Sequence, residues 1–145
     1  MLFRTHLLFG IFISLIITKT YNPSLLFCFL IIFASTLPDI DSSKSKISIP
    51  FISNFIERVF GHRGILHSIY PLLFFLFLSI YSFYFLAIFI GYASHILIDC
   101  LTKEGIRILY PIINIKISGF IKTNSFLENL FLILLFLATL LLIFL

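Results

Sequence analysis

The chain has 145 residues, of which 61% are hydrophobic and only 11% charged, with 20 Phe and no Trp. That balance excludes a soluble domain with an ordinary solvated surface and predicts an all-α integral membrane protein: a compact bundle of about five transmembrane helices plus a short interfacial helix, forming one domain over residues 1–145. The net charge of +4 is thinly spread, without the basic runs that track nucleic acid, so the expected partner is the lipid bilayer and no nucleic acid.

Five apolar segments follow one another, over residues 6–18, 24–37, 65–80, 83–101 and 126–145. The first follows Arg4 like the apolar core of a secretory signal, but the run ends in TKTYNP without a small-residue cleavage site, so it is expected to remain as the first membrane helix. The first two segments are short against the ~20 residues a spanning helix needs. Between them, Asn22 is placed to cap the second helix and Pro23 to occupy its first position. Residues 51–60, FISNFIERVF, carry apolar side chains at helical spacing with Ser53, Asn54, Glu57 and Arg58 opposite, the pattern of a helix lying in the interface. The run from Ile65 to Leu101 is too long for one crossing and is expected to reverse at Tyr81-Ser82. Residues 112–118, IINIKIS, alternate as a short extended segment does. Ser125 and Glu128 form a capping box ahead of the last helix. Cys28 and Cys100 have no metal-ligand spacing and read as small buried hydrophobes.

If the five segments alternate direction, one side carries Arg4, Lys44, Lys46, Arg58, Arg63, Lys103, Arg107, Lys116 and Lys122, and the other only Lys19. The positive-inside rule then puts the N-terminus in the cytoplasm and the C-terminus outside, in a multi-pass cell (inner) membrane protein. All four His and all three Asp fall on or near that cytoplasmic side. Most of the connecting chain lies there too, so polar residues would gather there for topological reasons alone.

Position says more than number. His95 and Asp99 are four apart, which on a helix is about 40° of rotation and ~6 Å of rise, with Thr102 on the same stripe. A local hydrogen bond would account for an isolated pair. An intramembrane Asp nevertheless costs about 2.5–3.5 kcal/mol on insertion scales, and a bound cation would offset that cost. LPDID, residues 37–41, sets Asp39 and Asp41 just after a helix, where they suit either a solvated turn or a metal. In FGHRGILHS, His62 and His67 would diverge on one helix, but a turn at Arg63-Gly64 lets His62 point back while His67 projects from the first helical turn. His6 suits a ligand or an interfacial anchor equally. The seven ligand candidates are therefore His6, Asp39, Asp41, His62, His67, His95 and Asp99. They fit a divalent ion, zinc first and manganese or iron next, and are numerous enough for two ions. Asp41 is the candidate general base, and Arg63 would anchor an anionic group such as a phosphate.

The combination of Thr5-His6, LPDID at 37–41, HRGILHS at 62–68 and GYASHILIDCLTKEGIRILYP at 91–111 resembles the YdjM-type membrane-bound, metal-dependent hydrolases. More distantly, the pattern of His and Asp on several helices is similar to zinc-dependent phospholipase C and P1-type nucleases. The resemblance implies a hydrolase. Combined with the topology, it gives the expectation of a metal-dependent enzyme cleaving a phosphoester or other ester of a phospholipid or similar amphiphile at the cytoplasmic face. The rival readings are a metal-binding or metal-transporting membrane protein, and a structural bundle whose polar groups only bond each other.

Overall fold

The computed structural model describes residues 1–41 and 64–144, apart from the side chains of residues 40 and 41. Five α-helices are present among the described residues: α1 Phe3–Tyr21, α2 Leu25–Ala34, α3 Ile69–Leu78, α4 Phe83–Cys100 and α5 Phe126–Phe144. α1, α4 and α5 are long and apolar enough to cross a membrane. α2 and α3 have ten residues each, so they rise only ~15 Å, about half of a hydrocarbon core. The interfacial helix expected over 51–60 lies outside the described residues.

The helix ends follow from short polar side chains. Ser24, Ser68 and Ser82 are the N-caps of α2, α3 and α4, each accepting a backbone N–H from the first turn. The reversal expected at Tyr81-Ser82 is therefore present, with Ser82 as its cap. Asn22 does not cap α2. It ends α1 in the left-handed conformation, φ 44°, and its N–H donates to the Thr18 carbonyl. Pro23 disfavours a right-handed helical residue before it, and Asn tolerates the left-handed region, so the cap passes to Ser24 and Pro23 lies ahead of it. The third segment also starts later than expected. Residues Ile65–His67 form a 3-10 turn and α3 begins only after the Ser68 cap, so His67 projects from that turn and not from the helix.

α4 is the central helix, packing on α1, α2 and α3, while α1 also packs on α2 and α5. Gly91 sets the closest approach: a Cβ there would lie 2.2 Å from the Ile31 carbonyl oxygen, so only glycine lets α4 rest on the α2 backbone. The capping box at Ser125 forms in part. The Glu128 N–H reaches Ser125 Oγ at 3.4 Å, but its carboxylate accepts from the Asn124 N–H at 2.6 Å. The other carboxylate oxygen crosses to α1, accepting from Leu2 N–H at 2.6 Å and Thr5 Oγ1 at 3.0 Å. A carboxylate of α5 thus serves the orphan donors at the N-terminus of α1.

The extended stretch at 112–118 is realised over Lys116–Ile117, which pairs antiparallel with Ile106–Arg107. Gly119 and Ile121 then donate to the carbonyls of Thr102 and Leu101, laying this connector across the end of α4. Cys28 and Cys100 are half-buried free thiols and not fully buried; Cys28 Sγ lies 3.2 Å from Thr18 Oγ1.

Candidate metal centre

His6 enters from the first turns of α1, Asp39 from the 3-10 turn Leu37–Asp41 after α2, His67 from the 3-10 turn before α3, and His95 and Asp99 from the last turns of α4. These elements meet at one end of the bundle. The His6 and His95 rings stack with centroids 3.7 Å apart and 10° between planes, and the His67 ring stands edge-on to His95 at 5.3 Å. His6 Nε2 is 3.3 Å from Asp99 Oδ1. His95 Nε2 is 3.7 Å from Asp39 Oδ1 and 3.8 Å from Asp99 Oδ2. His67 Nε2 lies 4.0 and 3.8 Å from the same two oxygens. The three imidazoles and Asp99 are shielded almost completely, while the Asp39 side chain keeps 18% of its surface exposed.

The orientation of His95 is traceable to the sequence. Pro38 has no N–H to offer the carbonyls three and four residues before it, which leaves the Ser35 carbonyl among the unsatisfied acceptors that follow α2. His95 Nδ1 donates to that carbonyl at 2.8 Å. The carbonyl fixes the tautomer, so Nε2 keeps its lone pair and faces the carboxylates, the arrangement found behind metal-ligating histidines. His95 Nε2 and His6 Nδ1 are buried without a hydrogen-bond partner among the described residues. A buried acceptor left in that condition costs about 1–3 kcal/mol, and a cation would relieve it. The amino group of Met1, a cation, bonds Asp99 Oδ1.

Two sets of donor atoms lie within 4.8 Å of one another, His6 with Asp39 and His95, and His67 with His95 and Asp99. Zinc ligands at about 2.0–2.2 Å stand roughly 3.3–3.6 Å apart around a tetrahedron, close to the separations present. Imidazoles with carboxylates suit zinc, manganese or iron in chemical character as well. Both sets draw on His95, whose Nδ1 is committed to Ser35, so they share its single remaining nitrogen. The Asp41 side chain, His62 and Arg63 lie outside the described residues. Burial raises the Asp39 carboxyl above the ordinary carboxylate range, and the neighbouring His6 partly offsets this.

Thr102, on the His95 stripe by spacing, has a structural role instead. Its hydroxyl donates to the Asp99 carbonyl at 2.8 Å and accepts the Gly105 N–H at 3.0 Å, closing the end of α4. Sequence reasoning did not find the Ser35 carbonyl, which is backbone, nor Tyr92. The Tyr92 hydroxyl donates to the Leu66 carbonyl at 2.6 Å and holds the turn that carries His67. The signals were present: Pro38 three residues after Ser35, and a Tyr one helical turn before His95.

The sequence profile of the YdjM inner membrane protein family matches this chain over residues 1–145. The chain belongs to the YdjM inner membrane protein family. Among its relatives, the inner membrane protein YdjM of Escherichia coli (strain K12) is 40% identical over 86 residues, 52% of this chain and 44% of that protein. YdjM of Shigella flexneri matches to the same extent. The uncharacterized protein YvsG of Bacillus subtilis (strain 168) is 36% identical over 103 residues, 65% of this chain and 63% of that protein. The chain thus spans less than two thirds of the length of these YdjM and YvsG relatives. No solved structure matches it. Membership in the YdjM family and the three long apolar helices make this a membrane protein.

Proposed function

We propose that the chain is a metal-dependent hydrolase of the membrane, cleaving a phosphoester or other ester of a lipid-like substrate at the cytoplasmic face. The observation that carries this reading is the convergence of three imidazoles and two carboxylates from four elements, with His95 Nδ1 bonded to the Ser35 carbonyl and its Nε2 facing the carboxylates. His6, Asp39, His67, His95 and Asp99 would hold a divalent ion, zinc first and manganese or iron next, with Asp41 and His62 available to extend the set. Such an ion supplies Lewis acidity toward an ester or phosphoryl oxygen and makes water easier to deprotonate.

The residues divide the remaining work. His6, stacked on His95, shields the inner wall from water. Asp39, at the exposed edge, would be the ligand nearest an entering substrate, while the buried Asp99 stays with the imidazoles. Asp41 is the candidate base, and Arg63 would hold the anionic group of the substrate. The cytoplasmic assignment rests on nine basic residues against one.

The test is elemental analysis of protein purified without added metal, set beside His95→Ala combined with Asp99→Ala and an ester-hydrolysis assay on phospholipids. A near-stoichiometric ion in the wild type, lost with hydrolysis in the double variant, is the expected result. Equal metal in both proteins removes the site. Metal without turnover, accompanied by ion flux in liposomes, favours a transporter.

A further inference from the structure

Beside the cluster, an apolar cavity of about 500 Å³ is lined by Leu37, Leu66, Tyr70, Pro71, Phe74 and Tyr92, among others. It lies within the ~300–1,000 Å³ of small-molecule sites. Its walls come from the segments that carry the ligand candidates: Leu37 stands two residues before Asp39, Leu66 next to His67, and Tyr92 three residues before His95. The hydroxyls of the two lining tyrosines are bonded to backbone carbonyls, Tyr92 to Leu66 at 2.6 Å and Tyr70 to Leu109 at 3.5 Å, which keeps the lining apolar.

The depth order matters as much as the lining. α3 starts beside His67, so Tyr70 and Pro71 are level with its first turn, and Phe74 and Phe75 lie one turn further from the cluster. Phe75 packs on Tyr92 as the back wall, while Phe74 is 58% exposed on the lipid side, so the groove opens laterally. Polar groups at one end and an apolar trough running from them along a membrane helix match an amphiphile in its natural bilayer orientation.

We propose that this groove holds one hydrocarbon chain of a membrane lipid whose headgroup ester lies at the His/Asp cluster. The chain binds by apolar burial alone, and the groove makes a lipid, drawn sideways from the adjoining leaflet, the substrate class of the proposed hydrolase. The fate of the headgroup rests on that reading; occupancy of the groove does not.

The experiment uses the full chain in phosphatidylethanolamine–phosphatidylglycerol vesicles with a phospholipid carrying a diazirine in its acyl chain. After photolysis, labelled peptides are mapped by mass spectrometry. Labelling concentrated on residues 65–75 and on Tyr92 is expected, with loss of that signal in Leu66→Trp, which fills the groove. Leu73→Trp, on the exposed face of the same helix, should keep it. Label spread over lipid-facing residues such as Phe29 and Phe136 in proportion to exposure overturns the proposal, as does crosslinking of the groove to a second copy of the chain. Because labelling needs no turnover, the two readings fail separately. Groove labelling without ester hydrolysis leaves the groove standing and removes the hydrolase, and hydrolysis with evenly spread label does the reverse.

Discussion

His95 touches every other member of the cluster or its carboxylates, and its ring is aimed by a single backbone carbonyl. His95→Ala therefore removes one donor and the stacking partner of His6. Zinc affinity, measured by competition with a chromophoric chelator, should fall by more than the roughly 10–100-fold seen when only an orienting partner is lost. Unchanged affinity would remove His95 from the site. Asp39 brings a dependence on acidity. Its carboxyl pKa is raised by burial, so the folded metal-free protein binds the proton more tightly than the unfolded chain does. Stability of the metal-free protein is thus favoured below the raised pKa and declines as pH rises through it. A metal needs the ionised form, so affinity should run the opposite way and weaken as pH falls through the same range. Asp39→Asn should flatten both profiles in paired thermal-unfolding and metal titrations. The identity of these residues was legible in the sequence because ionisable groups in apolar segments are few. The Ser35 carbonyl was not, because a backbone acceptor has no letter.

At the level of elements, two contacts hold the frame, and each has its own probe. Gly91→Ala places a methyl 2.2 Å from the Ile31 carbonyl, which must push α4 off α2. We expect about 1–3 kcal/mol of destabilisation, the ordinary cost of overpacking, read as a lower midpoint of thermal unfolding in detergent. Metal affinity should fall with it, since Asp39 and His95 sit on the separated elements. Glu128→Ala strips an acceptor from Leu2, Thr5 and Asn124 and should cost at least about 1–3 kcal/mol, with Glu128→Gln intermediate because one oxygen survives. Equal unfolding midpoints for all three proteins would mean the tie carries no stability. The sequence made the cap at Ser125 readable because capping is local. The Leu2 and Thr5 bonds join positions more than 120 residues apart, and no local pattern encodes such a pairing. The length of α3 was misread for a related reason: hydropathy continues smoothly through Ile65, whereas Ser68 ends the turn by a hydrogen bond that hydropathy does not register.

For the whole molecule, the sequence showed the class, because composition alone separates a membrane bundle from a soluble domain. It also suggested that the polar residues share one end, and the described His and Asp residues do. Orientation should follow the basic residues. Alkaline phosphatase fused after residue 22 or residue 144 is expected to be active and after residue 103 inactive, and Lys19→Ala should leave the pattern unchanged. The reverse pattern would put the cluster on the outer face. The bond from His95 to Ser35 spans 60 residues, and this separation is also an interval of time. At about 5–20 residues per second of synthesis, the first helical hairpin waits several seconds before the helix that completes its inner wall is even made. Throughout that wait His6 and Asp39 sit at the hairpin's end without His95 or Asp99. A nascent chain stalled before residue 95 would therefore present an unfinished polar notch to the bilayer, and synthesis through α4 is a condition for concealing it.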